Sequence, residues 1–127
     1  YFKVVRSQAK EFGTIVKAYS DLQIKLVKSN SIKTGTIQIF HPSFGWGTIC
    51  GFYHWTVAEG DVVCRQLGFT GVKMTRKNAN YGRGSGPILL DNVRCTGNKS
   101  YIWDCKHRGW NDDWFCNHGV DAGVDCY

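Results

Sequence analysis

The chain has 127 residues, 43% of them hydrophobic and 20% charged, with a net charge of +6; this is enough apolar mass for one folded domain and excludes a highly charged disordered segment. Its fully apolar runs are a few residues long, which excludes a bilayer-spanning helix, and no basic-then-apolar leader opens it. It begins at Tyr1 rather than Met and so reads as a piece excised from a longer protein.

Residues 1–21 are rich in Val, Phe, Ile and Tyr, in no clear pattern. They read as a linker, the end of a preceding domain or an added element, with at least part docked on the domain or extending its sheet. The domain proper is expected over residues 22–127. From Leu22 to Lys28 apolar and polar residues alternate, placing Leu22, Ile24 and Leu26 on one face of a half-buried strand. A turn over NSIKTG leads to a second alternating run, residues 36–40, with Ile37 and Ile39 opposite Gln38. The pair predicts an antiparallel hairpin. Gly45-Trp46-Gly47 leads into a third strand ending at Cys50.

Thr56-Val57-Ala58-Glu59 is a capping box: the Thr hydroxyl accepts the N–H of Glu59, and the Glu carboxylate reaches back to the N–H of Thr56. A helix is expected at about 57–67, with Val57 in its apolar stripe, Cys64 facing inward and Gly68 stopping it. Residues 70–87, rich in Gly, Lys, Arg and Asn, predict a long loop. PILLDNVRC (87–95) suits a buried strand and bulge, and Ser100 is placed to cap a short helical turn. A loop over 109–119 is pinned by Trp110, Trp114 and Cys116, and residues 122–126 form a closing strand.

The charge is uneven. Residues 1–40 hold seven Lys/Arg against two acids, whereas residues 41–127 hold nine against eight. Arg65, Lys73, Arg76, Lys77 and Arg83 follow Asp61 with no acid until Asp91, while Asp112, Asp113, Asp121 and Asp125 gather near the end. Such a dipolar surface steers partners of opposite sign.

Six cysteines, Cys50, Cys64, Cys95, Cys105, Cys116 and Cys126, stand at wide, irregular spacing without the close pairs that zinc sites use. They predict three disulfides and an oxidising compartment. Spacing alone leaves about 15 connectivities open.

The series WGTIC (46–50), GDVVCRQLGF (60–69), GSGPILLDNVRCTGN (84–98), YIWDC (101–105), RGW (108–110) and CNHGVDAGVDC (116–126) resembles the scavenger receptor cysteine-rich domain. The resemblance runs from about Leu22 to Tyr127. The family has six- and eight-cysteine groups. The positions of the extra pair hold Thr34-Gly35-Thr36 and Phe69 here, so the chain resembles the six-cysteine group. The resemblance implies an α+β fold, a curved antiparallel sheet cradling one main helix, with long loops outside. It also implies the pairs Cys50–Cys116, Cys64–Cys126 and Cys95–Cys105.

Many members carry Asp-Asp directly after the cysteine equivalent to Cys50 and a Glu just before the closing D-A-G. These three carboxylates hold a calcium-like cation, a hard ion that needs several oxygen donors. This chain has Gly51, Phe52 and Val120 instead, so the primary cation site is expected to be absent and no metal or cofactor is assigned. Asp91 and Asn117 survive nearby; a hydrogen-bonding role within the loops is favoured over a second, weaker cation site. Trp55 matches a position that packs in the core. Phe52 and Tyr53 either fill the vacated space or form an exposed aromatic patch, and filling is the favoured reading.

Catalysis has little support. Six paired cysteines offer no nucleophile, and His41, His54, His107 and His118 stand in no nucleophile–base motif. His41 reads as a loop-surface residue, His118 as structural and Asp112-Asp113 as a solvated loop end. The expected function is a non-catalytic extracellular ligand-binding or protein-interaction module, either secreted or part of a membrane protein's ectodomain. The candidate ligand-binding residues are Lys73, Arg76, Lys77, Arg83, Phe52 and Tyr53. One alternative is calcium-independent binding of polyanions (sulfated glycans, acidic lipids) by the basic 73–83 loop. Another is an accessory role in a secreted protease or oxidase. No nucleic-acid-binding motif is present. Asn98-Lys99-Ser100 is an N-glycosylation sequon in a predicted loop.

Overall fold

The computed structural model describes residues 2–4, 21–96, 98–112 and 115–127. Trp114, Asp113 and most of the N-terminal segment lie outside these residues, so the expectations attached to them do too. The strands are β1 (Phe2–Val4), β2 (Gln23–Val27), β3 (Thr34–His41), β4 (Gly45–Ile49), β5 (Val72–Arg76), β6 (Ile88–Leu90) and β7 (Gly123–Cys126). Among the described residues one α-helix, α1, spans Val57–Gln66, and 3₁₀ turns span Ile102–Asp104 and His118–Val120.

The β2–β3 hairpin pairs Ile24 with Ile39 and Leu26 with Ile37, so the alternation in the sequence becomes one buried cross-strand face. Phe2–Val4 adds an antiparallel strand to β2's other edge. Beyond β3 the sheet forks: Gln38–His41 pair with β4, which continues in parallel to β6, whereas Thr34–Thr36 pair with β7, which continues to β5. The Cys50–Asp121 bridge, the Ala122 N–H donating to the Ile49 carbonyl and the Ile37 N–H donating to the Ala122 carbonyl stitch the two arms at the fork. The curved sheet holds α1 against this fork. Val62, Val63, Cys64 and Leu67 of the helical segment enter one core with Ile24, Ile37, Ile39, Ile49 and Val124.

The helix begins at the capping box with both reciprocal contacts made. It ends in a Schellman motif: Gly68 N–H donates to the Arg65 carbonyl and Phe69 N–H to the Cys64 carbonyl, both at 2.9 Å. That geometry puts Gly68 at φ 94°, where a Cβ would be strained. The disulfides are Cys50–Cys116, Cys64–Cys126 and Cys95–Cys105.

Four expectations need correction. Residues 70–87 are not all loop, because Val72–Arg76 form β5, an antiparallel partner of β7. A sequence rich in Lys and Gly concealed a strand whose order comes from pairing, not from apolar alternation. Val57 is 64% exposed, so the buried stripe of α1 starts later and includes Glu59, Gly60 and Gln66. Gln38 is buried despite its polarity, and its amide reaches the Ser85 carbonyl at 3.4 Å. The turn at Ile102–Asp104 is preceded by Tyr101, without a side-chain cap, rather than capped by Ser100.

Candidate functional site

The fork and its disulfide organise one face. Strand β4 ends at Cys50, whose bond to Cys116 ties the segment leading into α1 to the C-terminal loop. Gly51 N–H donates to the Val120 carbonyl at 2.7 Å. A Cβ on Gly51 would lie 2.9 Å from Lys77 Cα and Cβ and 3.0 Å from Lys77 O. The backbone after β5 therefore already fills the space that a side chain at position 51 would enter.

Phe52, by contrast, is 60% exposed. Its ring meets Tyr53 edge-on at 4.9 Å. Tyr53 is half-buried, with the Arg108 guanidinium 5.3 Å from its ring centre, a cation–π arrangement. Arg108 also faces the buried Asp91 carboxylate at 3.3 Å. The favoured reading of Phe52 as a filler of vacated space is thus corrected. The space is taken by Lys77, and the ring is left at the surface. Trp55 is the member of this stretch that packs in the core, its indole N–H donating to the Gly123 carbonyl at 3.1 Å.

Beneath the stretch lies Glu59, fully buried. Its carboxylate accepts from Thr56 N–H (2.8 Å), Thr56 hydroxyl (2.6 Å) and Cys95 N–H (2.8 Å), and lies 3.2 Å from His54 Nε2. Burial pushes its pKa up. The donated hydrogen bonds from Cys95 and Thr56 and the adjacent His54 outweigh this, so the carboxyl sits below its ordinary range. On His54's other side, Arg94 donates to Nδ1 at 3.3 Å. The two ring nitrogens thus face Glu59 on one side and Arg94 on the other.

The basic segment divides on folding. Arg76 pairs with Asp125 at 2.7 Å, and the Tyr81 hydroxyl donates to the same carboxylate at 2.5 Å. Burial raises the Asp125 pKa, but the bonds from Arg76 and Tyr81 lower it further, so the net shift is downward. Arg76 is thus committed within the fold, whereas Lys73, Lys77 and Arg83 are exposed. Lys28, far earlier in the chain, joins them by packing along Gly82. Sequence order gave no signal for that neighbour.

Asp121, which precedes the closing strand, holds the loop that carries these cations. Its carboxylate accepts from Gly84 N–H at 2.7 Å and contacts His118 Nδ1 at 2.9 Å, and its carbonyl accepts from Ala79 N–H at 3.0 Å. His118 Nε2 reaches the Gly86 carbonyl at 2.8 Å. Thr48 Oγ1 also approaches His118, but on the same Nδ1, at 3.4 Å. A nucleophile–base–acid relay needs the hydroxyl and the carboxylate on opposite nitrogens, so this cluster is structural. His41, expected at a loop surface, ends β3 and lies half-buried against Phe44 and Trp110.

Cys50, Cys116 and Asp91 are close enough to suggest a metal centre. The two sulfurs are bonded to each other, and Asp91 faces Arg108. The Asn117 side-chain Oδ1 accepts from Gly119 N–H at 2.7 Å. Asn98 is exposed, and Asp112 is an exposed loop residue. Among the described residues no helix is long and apolar enough to cross a membrane.

A comparison with known proteins is consistent with this architecture. The third SRCR domain of murine neurotrypsin is 42% identical, with 81% of this chain and 94% of that one covered and a TM-score of 0.70. The SRCR domain of mouse MARCO, solved in a dimeric form, is 37% identical over 74% of this chain and 86% of that one, with a TM-score of 0.65. The family profile described as scavenger receptor cysteine-rich domain matches residues 27–127. With its forked sheet, the helix α1 and three disulfides, the chain belongs to the scavenger receptor cysteine-rich domain family.

Proposed function

We propose that this domain is a non-catalytic extracellular docking module that recognises its partner without calcium. The observation that carries the reading is the packing at Gly51. A calcium ion needs several oxygen donors, yet Gly51, Phe52 and Val120 supply no side-chain oxygen, and the Lys77 backbone fills the space beside Gly51. The nearby Asp91 and Asn117 oxygens are engaged by Arg108 and Gly119. The donor set does not fit the ion.

The disulfides suit an oxidising compartment, and the exposed Asn98 sequon suits glycosylation of a secreted protein or an ectodomain. The match to one of several such domains in neurotrypsin agrees with a role as an accessory module of a larger secreted protein.

Calcium titration tests the proposal. Calcium at about 10 mM, a hundredfold above the Kd of a tight extracellular site, would add about 2.7 kcal/mol of stability through a functional site. The expected result is an unchanged urea midpoint and no binding heat. A calcium-dependent rise of that size would sink the reading.

A second reading, polyanion binding, is favoured by the exposed Lys73, Lys77 and Arg83 and by the exposed Lys28 packed along Gly82, next to Arg83. On it, a sulfated oligosaccharide binds with strong salt dependence. Arg83→Ala or Lys77→Ala weakens binding severalfold, whereas Arg76→Ala changes it less, because Asp125 already compensates Arg76. Binding that persists at 1 M salt, where the screening length is about 3 Å, would set this reading aside.

A further inference from the structure

The four residues Gly51-Phe52-Tyr53-His54 have a basic residue beside three of their members. The backbone and Cβ of Lys77 lie on Gly51, the Arg108 guanidinium over Tyr53 and that of Arg94 against His54. Two carboxylates also touch this stretch or its cations, Glu59 beneath His54 and Asp91 beneath Arg108, and both are buried. Lys77 and Arg94 are exposed, and Arg108 is half-buried. The acids therefore lie inside and the bases outside. Within the same stretch stands the exposed Phe52 ring, braced edge-on by Tyr53. Phe115, adjoining the other end of the Cys50–Cys116 bond, is 72% exposed and adds apolar surface.

We propose that this face docks an acidic protein segment bearing an apolar anchor residue: the anchor packs on Phe52, and flanking Asp or Glu carboxylates meet Lys77 and Arg94, while Arg108 stays paired with Asp91. The assignment rests on the calcium-independent docking role above and names its surface and partner chemistry. Charge complementarity selects the partner. The exposed Lys77 and Arg94 beside this stretch repel a basic segment, and an anion without apolar mass leaves Phe52 uncovered. Tyr53 and Arg108 are residue types enriched at the centres of protein interfaces, and the edge-on contact with Tyr53 limits the freedom Phe52 loses on binding. A bound carboxylate would take up hydrogen bonds from the Arg94 guanidinium with little rearrangement.

The test uses three short synthetic peptides: one with Asp and Glu around a central Trp, one with Asn and Gln replacing the acids, and one with the acids kept and the Trp replaced by Ser. Fluorescence anisotropy and amide chemical shifts follow binding to the intact, oxidised domain. The first peptide is expected to bind at least about tenfold more tightly than either control. Phe52→Ala should weaken it by about tenfold or more while leaving the thermal midpoint unchanged, because the ring is exposed. Lys77→Glu should weaken it as well. Equal binding of the three peptides, no binding of the first, indifference to Phe52→Ala, or complete displacement by a sulfated oligosaccharide with Phe52 uninvolved would overturn the proposal. Chelator is added in parallel. Loss of binding in chelator overturns the calcium-independent role, whereas indifference to Phe52→Ala in chelator-resistant binding overturns this surface alone.

Discussion

Removing the Cys64–Cys126 bond by a Cys64→Ala/Cys126→Ala double substitution is expected to destabilise the domain by about 4 kcal/mol. The bond closes a span of 62 residues, and chain-entropy reasoning assigns about 4 kcal/mol to a loop of that size. Cys50–Cys116, with a span of 66, contributes similarly, and Cys95–Cys105, with a span of 10, about 3 kcal/mol. A domain of this size retains a net stability of about 5–15 kcal/mol, so reduction of all three bonds should unfold it. The Cys64–Cys126 bond also joins the buried face of α1 to β7 at the fork, so its loss loosens both sheet arms. Urea denaturation of the oxidised double variant reads the effect directly. A change below about 1 kcal/mol would show that the core, not the cross-links, supports the fold.

The second large effect is expected at Glu59. Glu59→Ala leaves the Thr56 and Cys95 amides, whose bonds to it are partly buried, without their acceptor and removes half of the capping box. The expected loss is about 3 kcal/mol, since each buried donor left unsatisfied costs about 1–3 kcal/mol. Glu59→Gln keeps the shape but offers one acceptor oxygen where two are used, so it should fall between wild type and Ala. The same site sets an acid dependence. The folded pKa of Glu59 lies below its ordinary value of 4.5, so the unfolded chain takes up the proton first as pH falls. The stabilisation is fully present above about pH 4.5 and disappears as pH drops through the folded pKa. Asp125, lowered by Arg76 and Tyr81, adds to the slope in the same direction. The urea midpoint should therefore fall on acidification below about pH 5, and less steeply in Glu59→Gln. An equal slope in that variant would place the acid sensitivity elsewhere.

The start of α1 was legible because Thr56 and Glu59 are three residues apart and cap each other within one turn. The hairpin was legible for the same kind of reason. Alternation at Leu22, Ile24, Leu26, Ile37 and Ile39 is a property of each strand before it pairs. The disulfide pairing was legible through family resemblance, not spacing. The site was less so. Lys73, Arg76, Lys77 and Arg83 look alike as a run of cations, yet Arg76 is compensated by Asp125, which stands 49 residues later. The strand β5 was hidden because its order comes from β7, near the other end of the chain.

What the sequence determined by itself were the features whose causes lie within a few residues: the capped helix, the alternating strands, the cysteine count and the lack of acids at Gly51, Phe52 and Val120. What only the tertiary structure decided was where the space and the charges went. Lys77 came to lie on Gly51, Phe52 was turned outward, and Asp91 and Glu59 were drawn beneath Arg108 and His54. The reason is that packing and buried charge pairing act between surfaces, and those surfaces exist only after segments far apart in the chain have met.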